Sequence, residues 1–186
     1  MNTAAAMRAY KGPALFSIGL RPFFLLSAIW AALAVPLWVH AYLAGGELNL
    51  TWHVHEMLFG YAGGVIVGFL MTAVPNWTGR MPVVGGPLMM MVGLWLAGRI
   101  AMTILALTPG LAGAAWPGAV DSLFLLAMAG LVWREILAGK NWRNAPVAIM
   151  ISVFASANVG FHLEAYLSDG VAPIATRVAL AVVILL

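Results

Sequence analysis

The side chains of this sequence that could do chemistry are histidines, together with a few acidic and basic residues inside apolar segments. They are His40, His53, His55, His162, Glu56, Asp121, Glu164 and Arg99. The sequence contains no cysteine, which excludes disulfides, thiolate nucleophiles, cysteine-ligated zinc and iron–sulfur clusters. Any bound metal must therefore be held by imidazole, thioether, carboxylate or backbone oxygen ligands.

Imidazole is a natural ligand for haem iron and for copper, so the histidines make both cofactors candidates. The carboxylates of Glu56, Asp121 and Glu164 could orient a ligand histidine by accepting its second N–H. Arg99 could pair with one of these carboxylates or with a haem propionate.

Several of these residues also have a purely structural interpretation. His40 could hydrogen-bond a backbone carbonyl, and His162 could be an interfacial histidine in contact with water. Glu164 could be a plain interfacial carboxylate, while Asp121 and Arg99 could form a structural ion pair.

The two central histidines lie too close in sequence to act as one chelating pair. His53 and His55 are about 200° apart around an ideal helix, so they cannot hold one ion from a regular helix. We expect at least one of them to be a ligand. Gly60, Gly64 and Gly68 recur every four residues, and Glu56 lies on the same helical stripe. We therefore expect the glycines to serve helix packing and Glu56 to point into the bundle.

The composition places the chain in a membrane. Of 186 residues, 63% are hydrophobic and only 8% are charged, with a mean hydropathy of +0.99. Soluble proteins are roughly 45–50% apolar and about 25% charged, so the apolar excess predicts a polytopic membrane protein in contact with lipid. The net charge of +3 comes from few charged residues, and we exclude nucleic-acid binding.

Apolar runs long enough to span a bilayer, about 20 residues each, recur along the sequence. They cover Phe23–Ala44, Trp52–Pro75, Pro87–Leu107, Ala115–Leu137 and Ala145–Leu167. A sixth run begins at Pro173 and reaches Leu186 after 14 residues, about 21 Å at helical rise. We predict an all-α, polytopic transmembrane helix bundle with five full spanning helices and a truncated sixth, and we expect the chain to be a fragment. Residues 1–22 would form a basic cytoplasmic arm and residues 23–186 the transmembrane domain.

The basic residues at the ends of these runs fall on one side of the predicted membrane. They are Arg8, Lys11, Arg21, Arg80, Arg134, Lys140 and Arg143. The positive-inside rule therefore predicts a cytoplasmic N-terminus. This orientation places the four histidines, Glu56, Asp121 and Glu164 in the outer half of the bundle, with Arg99 just past the middle.

Ionisable groups at this depth cost on the order of 3 kcal/mol each, so they usually pair or serve a function. We therefore predict a functional polar layer. A metal site and a proton-coupled transporter could both be built from it, because proton relays also use His, Glu and Asp. A structural membrane subunit is a third interpretation, and the spacing alone does not choose.

Four segments carry a resemblance to a known family. They are Phe16–Leu25 (FSIGLRPFFL), Trp52–Gly60 (WHVHEMLFG), Gly68–Arg80 (GFLMTAVPNWTGR) and Leu94–Arg99 (LWLAGR). Together they resemble the NnrS family across about residues 16–100, and beyond Ala101 the resemblance rests mainly on Phe161, His162 and Leu163. Leu20 departs from the pattern, since the family more often has an aromatic residue there.

The resemblance implies a bacterial inner-membrane protein that contains haem and copper and takes part in tolerance of nitric oxide. It implies that this chain is the first half of a twelve-helix protein, so some ligands would lie in the other half. The expected partners are membrane lipid, nitric oxide or a metal-nitrosyl species, and an unidentified electron donor. A redox metalloprotein is therefore the favoured interpretation, and whether it acts as an enzyme stays open.

This interpretation assigns a role to each candidate residue. His53, His55 and His162 would be the metal ligands, with His40 as a further candidate. Glu56 would orient a histidine or carry a proton, as Asp121 and Glu164 could do. Arg99 would neutralise a buried anion at the cofactor.

Overall fold

The protein is all-helical in the part of the chain that its structure describes. The structure is a computed structural model that describes residues 10–80, 82–111, 113–168 and 172–186. The main helices are α1 (Leu20–Ala44), α2 (Leu50–Thr78), α3 (Gly86–Leu107), α4 (Trp116–Gly139), α5 (Ala145–Leu167) and α6 (Pro173–Leu185). Within these described residues, α1 to α5 are long and apolar enough to cross a membrane, and no strand is present. The predicted fold class is thereby confirmed.

The turn between α1 and α2 is set by two local signals. Gly45 ends α1 in the left-handed region at φ 68°, a conformation that glycine adopts without a steric penalty. Asn49 then begins α2, because its side-chain oxygen accepts a hydrogen bond from the backbone N–H of Trp52 at 2.9 Å. The turn therefore fixes the positions of His53 and His55 in the first two turns of α2.

Helix α2 is the most enclosed of the spanning helices. It packs against α1 and α4, while α3 packs against α4, α4 against α5, and α5 against α6. Aromatic residues fill the interior, and Phe23, Phe59, Phe124 and Phe154 are almost fully buried. Many large apolar side chains on the outer faces remain exposed, as expected for a protein whose surroundings are lipid.

The glycines of α2 allow two different kinds of close approach. Added Cβ atoms at Gly64 and Gly68 would collide with Ser27 and Phe23 of α1, so these glycines serve helix packing as predicted. An added Cβ at Gly60 would instead meet the guanidinium group of Arg99 and lie 3.0 Å from Glu56 Oε2. Gly60 therefore makes room for a polar group rather than for a helix.

The packing of α1 against α2 predicts the effect of adding one methyl group. Gly68→Ala would place a Cβ 2.8 Å from the Cβ of Phe23, which cannot rotate away, so we expect a loss of about 1–3 kcal/mol in stability. Gly93→Ala is the matched control, because nothing described lies within 4 Å of its added Cβ and alanine favours helix by about 1 kcal/mol. Thermal unfolding of both variants in detergent measures the difference. Equal melting temperatures would contradict this packing.

Candidate functional site

The two histidines of α2 point to opposite sides of the helix. His55 is fully buried inside the bundle. His53 faces α1 instead, where its ring stacks on Trp38 at a centroid distance of 4.0 Å. The sequence predicted this separation from the two-residue spacing, although it could not say which histidine would face inward.

A π-helical segment over Glu56–Ala62 follows His55 directly. Such wide turns are rare and occur often at functional sites. The carbonyl of Gly60 in this turn accepts a hydrogen bond from Trp95 Nε1 at 3.0 Å. Glu56 is fully buried, as predicted, and its carboxylate lies beside the guanidinium that the missing side chain of Gly60 accommodates.

Arg99 of α3 bridges two carboxylates from its neighbouring helices. Its Nη1 donates to Glu56 Oε2 at 2.6 Å, and its Nη2 donates to Asp121 Oδ1. All three residues are at most 2% exposed. Because a lone charge in such surroundings costs several kcal/mol, each of these groups depends on its partners.

Asp121 of α4 connects this ion pair to the histidines. Its Oδ2 lies 3.0 Å from His55 Nε2 and 3.1 Å from His162 Nε2. His55 Nδ1 lies 3.1 Å from Glu56 Oε1, so both ring nitrogens of His55 face a carboxylate. Two carboxylates and one guanidinium leave a formal charge of −1 when the imidazoles are neutral. The cluster is thus electrostatically suited to one further cation.

Two residues that the sequence analysis missed complete this network. Asn158 of α5 donates from Nδ2 to Asp121 Oδ2 at 2.8 Å, and Ser122 donates from Oγ to Asn158 Oδ1 at 2.8 Å. The spacing could have indicated Asn158, because Asn158 precedes His162 by four positions and therefore lies on the same helix face. An amide in the middle of a spanning run is itself a candidate polar contact.

Three side chains of this network form a possible metal-binding group. His55, Asp121 and His162 each offer one ligand atom, and these atoms lie within 4.8 Å of one another. Two imidazole nitrogens and one carboxylate oxygen suit a borderline ion such as Cu²⁺ or Zn²⁺. The other oxygen of Asp121 remains paired with Arg99, so the ligand group is positioned by a second charge.

The same cluster does not fit a porphyrin. Added Cβ atoms at Gly98 and Gly118 would lie 2.8 Å from Asp121 Oδ1 and 2.7 Å from His162 Cγ. The ring of His55 is enclosed by Phe59 and Phe161, with centroid distances of 5.3 and 5.1 Å. These groups are in contact, so the described residues of the cluster have room for an ion and not for a macrocycle.

Two other predicted site residues lie elsewhere in the fold. His40 is exposed on α1. Glu164 accepts hydrogen bonds from the backbone N–H groups of Ile174 and Ala175 at 3.0 and 2.9 Å. Its carboxylate therefore caps the first turn of α6, a position where negative charge is favourable.

Comparison with known proteins gives one positive result. A family model described as NnrS protein matches residues 14–186. A search among curated proteins found no match, and a search among solved structures found none either.

The pairing of Arg99 with two carboxylates predicts that removing Arg99 strongly destabilises the protein and that a second substitution partly restores the stability. Arg99→Met leaves Glu56 and Asp121 without their common cation, so we expect unfolding to become easier by about 3–5 kcal/mol. Adding Glu56→Gln removes one of the two unpaired charges and should recover part of that loss. Denaturant titration of the single and double variants in detergent measures both effects.

Arg80→Met is the control for removing an arginine. Arg80 pairs with Glu135, but its side chain is 44% exposed and Glu135 keeps Arg134 as a second partner. The expected loss is at most about 1 kcal/mol. Equal losses in Arg80→Met and Arg99→Met would refute the special position of Arg99.

Proposed function

The chain belongs to the NnrS family, and from this membership and the buried ligand group we propose that it is a metal-binding membrane protein of nitric oxide defence. Its spanning helices make it a multi-pass membrane protein. The proposed metal is copper, held by His55, Asp121 and His162. The family membership supports the role, and the chemistry of the donor set supports the ion.

The single observation that carries the proposal is the convergence of these three ligand atoms from three helices. They meet inside a cluster whose formal charge is −1 when both imidazoles are neutral, as metal ligation requires, and this charge favours a bound cation. A structural ion pair would need only Arg99 and its carboxylates. It would not require two further imidazoles on the oxygen of Asp121 that Arg99 leaves unpaired.

The surrounding residues would prepare the ligands for the ion. Glu56 Oε1 can accept the Nδ1 proton of His55, which leaves the Nε2 lone pair directed at the site. Arg99 holds Asp121 through Oδ1, and Asn158 fixes the same carboxylate through Oδ2. A bound copper ion would supply one-electron chemistry and a position for nitric oxide or a related nitrogen oxide.

Haem is a separate part of the proposal because the cluster does not fit a porphyrin. Of the predicted ligands, His53 and His40 lie outside the cluster, and Nδ1 of His53 is buried without a hydrogen-bond partner among the described residues. These two histidines are the remaining candidates in this chain for haem.

We further propose a bacterial inner-membrane location with a cytoplasmic N-terminus. The basic residues at one end of the helices support this orientation. It places the metal-binding group in the outer half, where nitric oxide, a metal-nitrosyl species or an electron donor would reach it.

One observation favours a second candidate function, a proton-coupled transporter. Helix α2 changes from α-helix to π-helix at Glu56, next to the buried ionic cluster. Transporters bind substrate at interruptions of their transmembrane helices, and intramembrane carboxylates serve them as proton relays. Proton-dependent uptake by metal-free protein in vesicles would support this alternative.

Metal analysis of the purified protein tests the proposed function. We expect copper in the wild type, and at least a tenfold weaker affinity in His55→Ala and His162→Ala, because each variant removes one ligand. His40→Ala is the matched control and should keep its copper. An absorption spectrum of the same samples tests haem, with loss of a Soret band expected only in His53→Ala or His40→Ala. Folded wild-type protein without copper would refute the metal site.

A further inference from the structure

A series of oxidisable aromatic side chains runs from the end of α1 to α3 and ends beside the ionic cluster. It consists of Tyr42, Trp38, Trp52, Trp30 and Trp95, and we call it the aromatic series. Tyr42 is 66% exposed at the outer end of α1, whereas Trp95 is 2% exposed on α3. The series therefore leads from the outer surface into the bundle.

Three of the four steps along the aromatic series join rings whose centroids lie within 6.5 Å of each other. The ring centroids of Tyr42 and Trp38 are 5.5 Å apart, and Trp38 packs against the apolar group that contains Trp52. Trp30 lies 6.5 Å from Trp52 and 6.4 Å from Trp95, both in edge-to-face geometry. Trp95 then donates to the carbonyl of Gly60, inside the π-helical turn that carries Glu56.

The indole N–H groups of this series have an unusual environment. Nε1 of Trp30, Trp38 and Trp52 is buried without a hydrogen-bond partner among the described residues. Unsatisfied buried donors are rare, and each one calls for an explanation. An oxidised indole becomes acidic at Nε1 and loses its proton where a base is hydrogen-bonded to it, which the backbone carbonyl that Trp95 contacts is not. Without an acceptor it keeps the proton, so the missing electron can be passed on rather than trapped.

We propose that the aromatic series carries oxidising equivalents from the buried metal site to Tyr42 at the outer surface. This inference rests on the proposed copper site. The aromatic series would remove oxidising equivalents that would otherwise damage the site. Such equivalents arise when a peroxide, instead of a nitrogen oxide, reaches reduced copper.

The electrons and protons of this step balance. Hydrogen peroxide takes up two electrons, together with two protons from the surrounding water, and is reduced to two molecules of water; the phenolic proton that Tyr42 releases replaces one of these two protons. One electron comes from the bound copper(I), and the other comes from Trp95. Oxidised Trp95 then takes an electron from Trp30, and the vacancy passes in the same way to Trp52, to Trp38 and finally to Tyr42. Tyr42 releases its phenolic proton to water, and an external donor such as ascorbate returns a hydrogen atom to it.

Mapping of oxidative damage tests the proposal. The copper-loaded full chain in detergent is treated with hydrogen peroxide and then digested, and oxygen insertion at each aromatic residue is measured by mass spectrometry. In the wild type we expect oxidation at Tyr42 to exceed that at Tyr166, which is 70% exposed and lies outside the series. Adding ascorbate should suppress the oxidation of Tyr42.

Trp30→Phe interrupts the series while keeping an aromatic ring in place. We expect oxidation of Tyr42 to fall several-fold and oxidation of Trp95 to rise correspondingly. Trp133→Phe is the matched control, since Trp133 donates to Ser152 at 2.9 Å and is not in the series. If Trp30→Phe does not fold, Tyr42→Phe serves instead, and oxidation should then accumulate at Trp38 and Trp95.

The outcomes separate this proposal from the function it rests on. If the folded wild-type protein binds no copper, the proposed function is refuted, and the source of the oxidising equivalents is removed with it. Bound copper with the same oxidation pattern in wild type, Trp30→Phe and Trp133→Phe would refute the aromatic series alone. Equal oxidation of Tyr42 and Tyr166 would indicate diffusing oxidant and would also refute it.

Discussion

The placement of one guanidinium between two carboxylates constrains the bundle more than any other interaction described. Arg99 lies between Glu56 of α2 and Asp121 of α4, so α3 must approach both helices at the same depth. In lipid none of these charges can be left alone, because each unpaired ion would cost several kcal/mol. The absence of side chains at Gly60 and Gly98 makes this approach possible.

The same interaction determines which atoms remain free for chemistry. Since Arg99 takes one oxygen from each carboxylate, Glu56 keeps Oε1 for His55, and Asp121 keeps Oδ2 for both histidines and Asn158. The ion pair is thus both a stabilising contact and the support of the ligand group. A single rotation of α3 would disturb the two together, which couples the fold to the site.

Hydropathy was sufficient to predict the spanning helices, and the helical stripe that Glu56 shares with Gly60, Gly64 and Gly68 was sufficient to predict that Glu56 points into the bundle. They were not sufficient to predict the partners. Pairing depends on how each helix is rotated about its axis, and a mostly apolar helix offers little pattern from which to read that rotation. Asn158 was missed for this reason, and Glu164 lies at the start of α6 rather than in the cluster because its carboxylate satisfies two otherwise unpaired N–H groups.

Helix α2 separates two chemically different environments, and this division explains why neighbouring histidines differ so much. On one side, the polar groups around His55 are largely satisfied by one another. On the other, His53 stacks on the indole of Trp38, whose N–H group has no partner in the described chain. Charged ligands need the first environment, because it supplies counter-charges. Migration of an electron vacancy is favoured by the second, because no proton acceptor among the described residues is hydrogen-bonded to the indole N–H groups of Trp30, Trp38 and Trp52. A shift of the helix by two residues would rotate each side chain by about 200° and so exchange the directions of the two histidines, which makes the Asn49 cap important to the chemistry as well as to the turn.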